Sequence, residues 1–203
     1  MARYSAEHKQ QTRRRMIETA GRRLKSNGID GSGIATLVAD AGLTNGAFYG
    51  HFSSKDELVA AVVTDQLENQ VAVIDALATG AGVEAFVREY LSPAHRDEPA
   101  TGCPSAALLD ELGRCDAEIR QAYTAGARAV IATIARRLGD ADNDDDDRAE
   151  ERAIGLVALL VGSLQLARAV DDPDLSDRVL DAALANARHM LPPTARTTDQ
   201  ESP

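Results

Sequence analysis

"AGLTNGAFYGHFSSKDEL", residues 41–58, is the stretch on which the reading of this chain turns. It sets Phe48, Tyr49 and Phe52 within five positions of a sequence that is only 3% aromatic and has no Trp. On a helix Phe48 and Phe52 are four apart and share a face, whereas Tyr49 points elsewhere. One face can pack while the other touches something outside. Gly42 stops the helix before it, as a C-terminal residue needing φ > 0 does, and after Leu43 a short helix is expected over about 45–51. Helix, tight glycine turn, helix is a helix-turn-helix pattern. An element this short is unstable alone, so Phe48 and Phe52 must dock it on the helices that precede it.

Upstream, a first helix over about 5–26 carries an apolar stripe of Met16, Ile17, Ala20 and Leu24, with Arg13, Arg14 and Arg15 fanned around the rest. "SNGIDGSG" (26–33) breaks it. A second helix over about 34–41 takes Ser32 as its expected N-cap and turns Ile34, Leu37, Val38 and Ala41 inward. Downstream, "SSKDEL" (53–58) starts a long helix to about 78, capped by Ser53 or Ser54, with Asp56 and Glu57 in the first turn where the helix dipole favours anions. Further helices are expected over about 82–91, from Pro104 in "CPSAALLDELG", and over about 116–138, 148–170 and 175–191. "AHRDEPATG" (94–102) reads as a loop and "PPTARTTDQESP" (192–203) as a disordered tail. No stretch shows sustained alternation with β-branched enrichment. The fold class is all-α, with about nine helices. The expected division is a helix-turn-helix head at 1–53, a larger helical bundle at 54–192 and the tail at 193–203.

Charge supports that division. The chain has 22 Lys+Arg against 32 Asp+Glu, a net charge of −10. Residues 1–55 hold nine basic side chains against four acidic ones, a net +5, which leaves −15 on the remainder. A basic head on an acidic body confines a phosphate-seeking surface to one end and keeps the rest of the protein away from a polyanion. Two cysteines in 203 residues make a disulfide framework improbable and a reducing cytoplasm the natural setting. No apolar signal-peptide run opens the sequence. The most apolar stretch, "AIGLVALLVGSLQLA" (153–167), falls short of the ~18–20 residues that span a bilayer, so no membrane partner is expected.

"GLTNGAFYGHFSSKDEL", behind a basic helix and "IATLVADAG", resembles the TetR family of transcriptional regulators. The shared pattern is a small polar pair, Gly, a hydrophobic residue, aromatic-Tyr, any residue, His-Phe, two residues, Lys and an acidic residue. It covers residues 10–60, and the rest is similar only in helix count and length. The resemblance implies a DNA-binding head and a helical body that dimerises and binds a small molecule. It implies that Thr44 and Asn45 open a recognition helix in the major groove of a double-stranded DNA operator. Tyr49, His51 and Lys55 are expected on phosphates, Lys55 aided by the amino end of the fourth helix, and Thr36 on the second helix likewise. Arg3 and Arg13 are expected on flanking phosphates or the minor groove. Two departures matter. Gly33 stands where a hydroxyl residue is common, and Gly46 and Gly50 leave few base-reading side chains, so specificity leans on Thr44, Asn45, Tyr49 and DNA shape.

In the body, no catalytic triad, phosphate loop or metal-ligand cluster appears, so an enzyme is not expected, nor a cofactor. The helix at 148–170 is apolar nearly all round, which implies a covering partner as well as the bundle. The resemblance places a homodimer interface on the last two helices, here Gly155, Ala158 and Gly162 with Val179, Ala183 and Ala187. Helix position makes Phe86, Tyr90, Leu109, Tyr123 and Gln165 the expected ligand-binding wall, which suits a lipophilic or aromatic effector. Cys103, ahead of Pro104 at a helix amino terminus, reads either as a buried cap or as a reactive thiol in an electrophile-sensing repressor. Cys115 reads as structural. Asp140, Asp142, Asp144 and Glu151 fall on calcium-loop positions, but Asp145 stands where Gly is needed, and a solvated acidic connection is the preferred reading. His8, His95 and His189 are isolated and suggest no metal site. The expected function is a homodimeric, ligand-responsive DNA-binding repressor. The alternative from another class is a helical small-molecule-binding or interaction module that does not bind DNA specifically.

Overall fold

The computed structural model describes residues 2–78, 81–139 and 146–191. Ten α-helices and no strand occur among the described residues: α1 (Ala2–Asn27), α2 (Ile34–Asp40), α3 (Asn45–Tyr49), α4 (Lys55–Asp75), α5 (Ala81–Tyr90), α6 (Pro93–Asp97), α7 (Pro104–Leu112), α8 (Ala117–Leu138), α9 (Asp146–Ala169) and α10 (Pro173–Arg188). One 3-10 turn, Pro99–Thr101, joins α6 to the approach to α7. The all-α class holds. The extra helix is α6, inside the expected loop, where the Ser92 hydroxyl accepts the His95 N–H and Pro93 occupies the first turn.

The first three helices pack as their apolar pattern requires. Met16, Ile17, Ala20 and Leu24 of α1 meet Leu37 and Val38 of α2 and the rings of Phe48 and Phe52, all buried. Phe48 is fully buried, and burying a ring of this size contributes about 1.5–3 kcal/mol. That single anchor holds the five-residue α3 in place. Gly42 adopts φ +67°, a left-handed turn that any other L-residue enters at a cost, and so ends α2 as read. Gly28 does the same after α1, at φ +77°. The expected cap is corrected: Gly33, not Ser32, is the N-cap of α2, and the buried Ser32 hydroxyl instead donates to Gly28 O at 2.7 Å. A bidentate ion pair from Arg23 to Asp40, 2.5 and 2.8 Å, ties α1 to α2.

Helix α4 is shared: it packs on α1 on one side and along α8 on the other. Gly126 of α8 sits where a Cβ would come within 2.7 Å of the Leu67 Cβ, so the two helices approach as closely as their backbones allow. Helices α8, α9 and α10 pack in sequence, with α7 against α9. The apolar helix α9 falls where it is expected. By length and composition alone Arg148–Ala169 could cross a bilayer. Its neighbours show a bundle helix instead: Ala153, Leu156, Leu160 and Leu164 are buried against the body, and Arg168 donates to the carbonyls of His95, Arg96 and Ala106. The expected tail (193–203) and the calcium-like positions Asp140, Asp142, Asp144 and Asp145 lie outside the described residues.

Candidate functional site

Undersides that pack and outer sides that do not give α3 its character. Phe48 faces the core, and its ring meets Tyr49 edge-on at 5.2 Å and Phe52 at 5.8 Å. Tyr49 itself is 64% exposed. Thr44 is the N-cap of α3, yet its hydroxyl makes no capping hydrogen bond, and Asn45 beside it is exposed. The start of the helix therefore presents an uncommitted hydroxyl and amide, followed one turn on by a phenol. Thr36 is exposed on α2.

A cationic flank borders that surface. The Arg13 guanidinium lies 4.7 Å over the Phe52 ring, a cation–π contact that fixes its direction. His51 is half-buried, with a ring nitrogen, Nδ1, that is buried and has no hydrogen-bond partner. Burial first, then repulsion from Lys9 and Arg13, lowers its pKa, so the ring is neutral among cations. An anion arriving here meets two cations, Lys9 and Arg13, beside a neutral imidazole. Lys9 stands an i, i+4 step from Arg13 on α1, the sequence signal that places it on this flank.

Lys55 is less free than expected. Its Nζ donates to Ile29 O at 2.5 Å and so braces the turn between α1 and α2, with two N–H groups remaining. Nor is the amino end of α4 open: Ser54 accepts the Glu57 N–H at 3.0 Å, while Glu57 accepts the N–H and hydroxyl of Ser53, both at 2.7 Å. This is a reciprocal cap, and those bonds, Ser53 N–H first, hold the Glu57 carboxyl below its usual range. The side chain of Arg3 is outside the described ones.

Behind the head lies a cavity of about 670 Å³ bounded by α1, α4, α5, α6 and the start of α7. Phe86 and Tyr90 line it, 5.9 Å apart, and continue with Tyr123 into a narrower apolar space between α4, α8 and α9. Three of the five expected wall residues thus come together. The other two do not. Leu109 is exposed, because the inward phase of α7 is set by Leu108 and Leu112, and Gln165 is half-buried on α9 outside the lining. Residues that sequence reasoning missed, Lys25, Gln66, Gln70 and His95, carry the polar part of the wall. Cys103 is the N-cap of α7 and is buried on this wall, with Sγ 3.5 Å from Gln70 Oε1. Burial raises the Cys115 thiol, which lies apart from it.

His95 organises the entrance. Its Nδ1 is 2.8 Å from the Tyr90 carbonyl, which can only accept, and its Nε2 accepts the Cys103 N–H at 3.1 Å. The bonding assigns the neutral tautomer with its proton on Nδ1. Burial lowers the ring's pKa further, against the Tyr90 bond that raises it.

The outer face of α9 bears Ile154, Ala158, Gly162 and Leu166 at four-residue steps, with Ile154 and Leu166 about half exposed. A Cβ at Gly162 meets nothing within 4 Å. Gly155 is half-buried near Met190. The matching stripe on α10 is corrected: Ala183 and Ala187 are buried in the protomer's own core and Val179 is half-buried against it. Their side chains are spent inside the chain.

Comparison with known proteins matches residues 17–62 to the family described as "Bacterial regulatory proteins, tetR family" and residues 80–183 to "Tetracyclin repressor-like, C-terminal domain". The HTH-type transcriptional regulator TtgR of Pseudomonas putida is 40% identical over 63 residues, 31% of this chain and 30% of that relative's length. The HTH-type transcriptional repressor NemR of Escherichia coli is 26% identical over 133 residues, 63% of this chain and 67% of its own. The crystal structure of reduced Escherichia coli NemR superposes with a TM-score of 0.74 at 21% identity, covering 91% of this chain and 99% of that one. A TetR transcriptional regulator from Legionella pneumophila gives 0.73 at 16% identity over 88% and 96%.

Proposed function

This chain belongs to the TetR family of bacterial regulatory proteins, DNA-binding regulators of transcription, and on that premise we propose that it is a homodimeric repressor released from its operator by a small lipophilic or aromatic effector. The observation that carries the reading is the outward plane of α3: Thr44, Asn45 and Tyr49 exposed beside Lys9, Arg13 and His51, on a helix held from beneath by Phe48. Thr44 and Asn45 read base edges in the major groove, and the flank of α1 takes phosphates. The head ends near residue 53 and the body runs on to 192. Two heads on a two-fold axis read a pseudo-palindrome with half-sites about one or more helical turns apart.

The uncovered apolar stripe of α9 supports dimerisation through that face. An effector in the cavity acts only by preferring one arrangement of head and body over another. The cavity wall reaches both: Lys25 belongs to α1, and the remaining walls to the body. The site of action is the bacterial cytoplasm. A gel-shift titration on DNA from beside its own gene tests the reading. Binding at least about 1,000-fold tighter than to random duplex, the lower end of the roughly 10³–10⁷ range of specific sites, supports it. Equal affinity for both favours the interaction-module alternative.

A second reading rests on Cys103, a buried thiol on the cavity wall beside an acceptor, Gln70. If it is the sensing group, Cys103→Ser abolishes release by an added electrophile such as N-ethylmaleimide. Unchanged release in that variant leaves only the reversible pocket.

A further inference from the structure

The ligand-responsive reading leaves the chemistry of the effector open, and the polar groups of the cavity narrow it. Lys25 is a half-buried cation whose Nζ donates to Gly102 O at 2.8 Å, and among the described residues it makes no ion pair. The groups that act on it are the Cys103 sulfur, which favours its charge, and the cations Arg22 and Arg168, which oppose it. Burial above all, then those cations, brings its pKa down to about 8 against the Cys103 sulfur, so at neutral pH the site still holds an ammonium with no carboxylate partner among the described residues. The carboxylates that share the cavity, Glu89 and Glu98, lie exposed at its rim. A second buried group is poorly satisfied: Tyr90 is 6% exposed, and its hydroxyl has the weak Cys103 thiol beside it and no nitrogen or oxygen partner. Gln66 Oε1, buried on the α4 wall, lacks one too. Unmet buried polar groups of this kind are uncommon and point to a missing ligand.

Resting on the regulator reading, we propose that the cavity binds an oxygen-bearing amphiphilic acid. Its carboxylate pairs with Lys25, its aromatic or alkyl body lies against Phe86, and a further oxygen accepts the Tyr90 hydroxyl. The rim glutamates orient it, carboxylate inward. Lys25 keeps two N–H groups besides the one it gives Gly102 O, and the carboxylate takes one of them. Among the described residues, the Lys25 to Gly102 bond is one of two hydrogen bonds from the head to the α7 region, the other being the Asp30 N–H to Glu111 at 2.9 Å. The acid therefore bridges Lys25 of the head to the cavity wall of the body, so its affinity differs between arrangements of the two, which is the differential affinity that release from DNA needs.

Isothermal calorimetry on the DNA-free protein at pH 7 tests this with 4-hydroxycinnamate and 4-phenylbutyrate, each against its primary amide. The expected result is that each acid binds about 10- to 100-fold tighter than its amide, the scale of a charge-assisted hydrogen bond. Lys25→Met erases that preference and Lys25→Arg keeps it, while Tyr90→Phe weakens 4-hydroxycinnamate and leaves 4-phenylbutyrate unchanged. Acids that bind no tighter than their amides, no acid binding below about 1 mM (ordinary weak affinity), or a folded Lys25→Met protein that retains the preference overturns the proposal. The comparison on the wild-type protein decides even where a variant does not fold. DNA is absent from this measurement, so acid binding without specific DNA binding would sink the regulator reading alone, and specific DNA binding without acid binding would sink this proposal alone.

Discussion

Phe48→Ala separates the docking of α3 from the stability of the rest of the protein. The ring is fully buried and contacts Phe52 and Tyr49. Truncating a buried Phe costs about 3–5 kcal/mol, the transfer and cavity terms together. Helix α3 has five residues, and ordering a backbone costs about 1–2 kcal/mol per residue, so its docking survives by a margin no larger than what this ring supplies. The loss therefore falls on α3 locally, while α4, α8 and α9 stay packed. The Phe48, His51 and Phe52 amides, which donate to Thr44 O, Phe48 O and Phe48 O, report it directly. At about 1.4 kcal/mol per tenfold, their hydrogen-exchange protection falls by about 100- to 3000-fold while protection in α8 holds, and DNA affinity drops to that for random duplex. Retained protection at these three amides with normal DNA binding would refute the docking argument, as would a uniform loss of protection across head and body.

Three further outcomes follow from the packing and the titrating groups. Gly126→Ala forces a Cβ into Leu67 and destabilises the body by about 1–3 kcal/mol, read as a lower midpoint in urea. Ala158→Arg puts a charge on the exposed stripe of α9: sedimentation shows monomer where the wild type is dimer, and the melting temperature of the protomer at matched monomeric concentration is unchanged. His95 has a folded pKa below the ordinary 6.5 because burial disfavours its charge, so the unfolded chain binds the extra proton first. Its contribution is complete above pH of about 6.5 and is lost as pH falls through the lower folded value. Between those values, denaturant titrations show a stability slope for the wild type that His95→Gln flattens, because protonation at Nε2 removes the acceptor for the Cys103 N–H.

Much of the head was legible in the sequence because its signals are local. The i, i+4 pair of Phe48 and Phe52, the left-handed Gly42 and the stripe from Met16 to Leu24 each depend on neighbours within a turn or two. The Ser-Pro pair at 92–93 is also a start signal for α6, but the five residues it opens are too few to show a helical period. What failed depended on phase or on distant packing. Leu108 and Leu109 are adjacent and equally apolar, so only the partner helix decides which turns inward. Ala183 and Ala187 are small enough to fit either a tight core or a tight interface, and composition does not separate the two. Lys25 reads as one more basic residue on a basic helix; its place in a cavity comes from the approach of Gly102, 77 positions away. Ser32 lost the cap of α2 because its hydroxyl found Gly28 O first.

The central claim is that the exposed face of α3 and the basic flank of α1 form one DNA-reading surface. Its most direct test is the salt dependence of binding to the promoter fragment for wild type, Tyr49→Ala and Lys9→Ala. Tyr49 is exposed, so its loss leaves stability within about 0.5 kcal/mol. The account predicts that Tyr49→Ala weakens binding about tenfold or more with the slope of log affinity against log salt unchanged, the cost of a neutral contact to a charged phosphate. Lys9→Ala lowers that slope by about one phosphate contact. Wild-type affinity and slope in both variants, with the protein folded and bound to the same fragment, would contradict it.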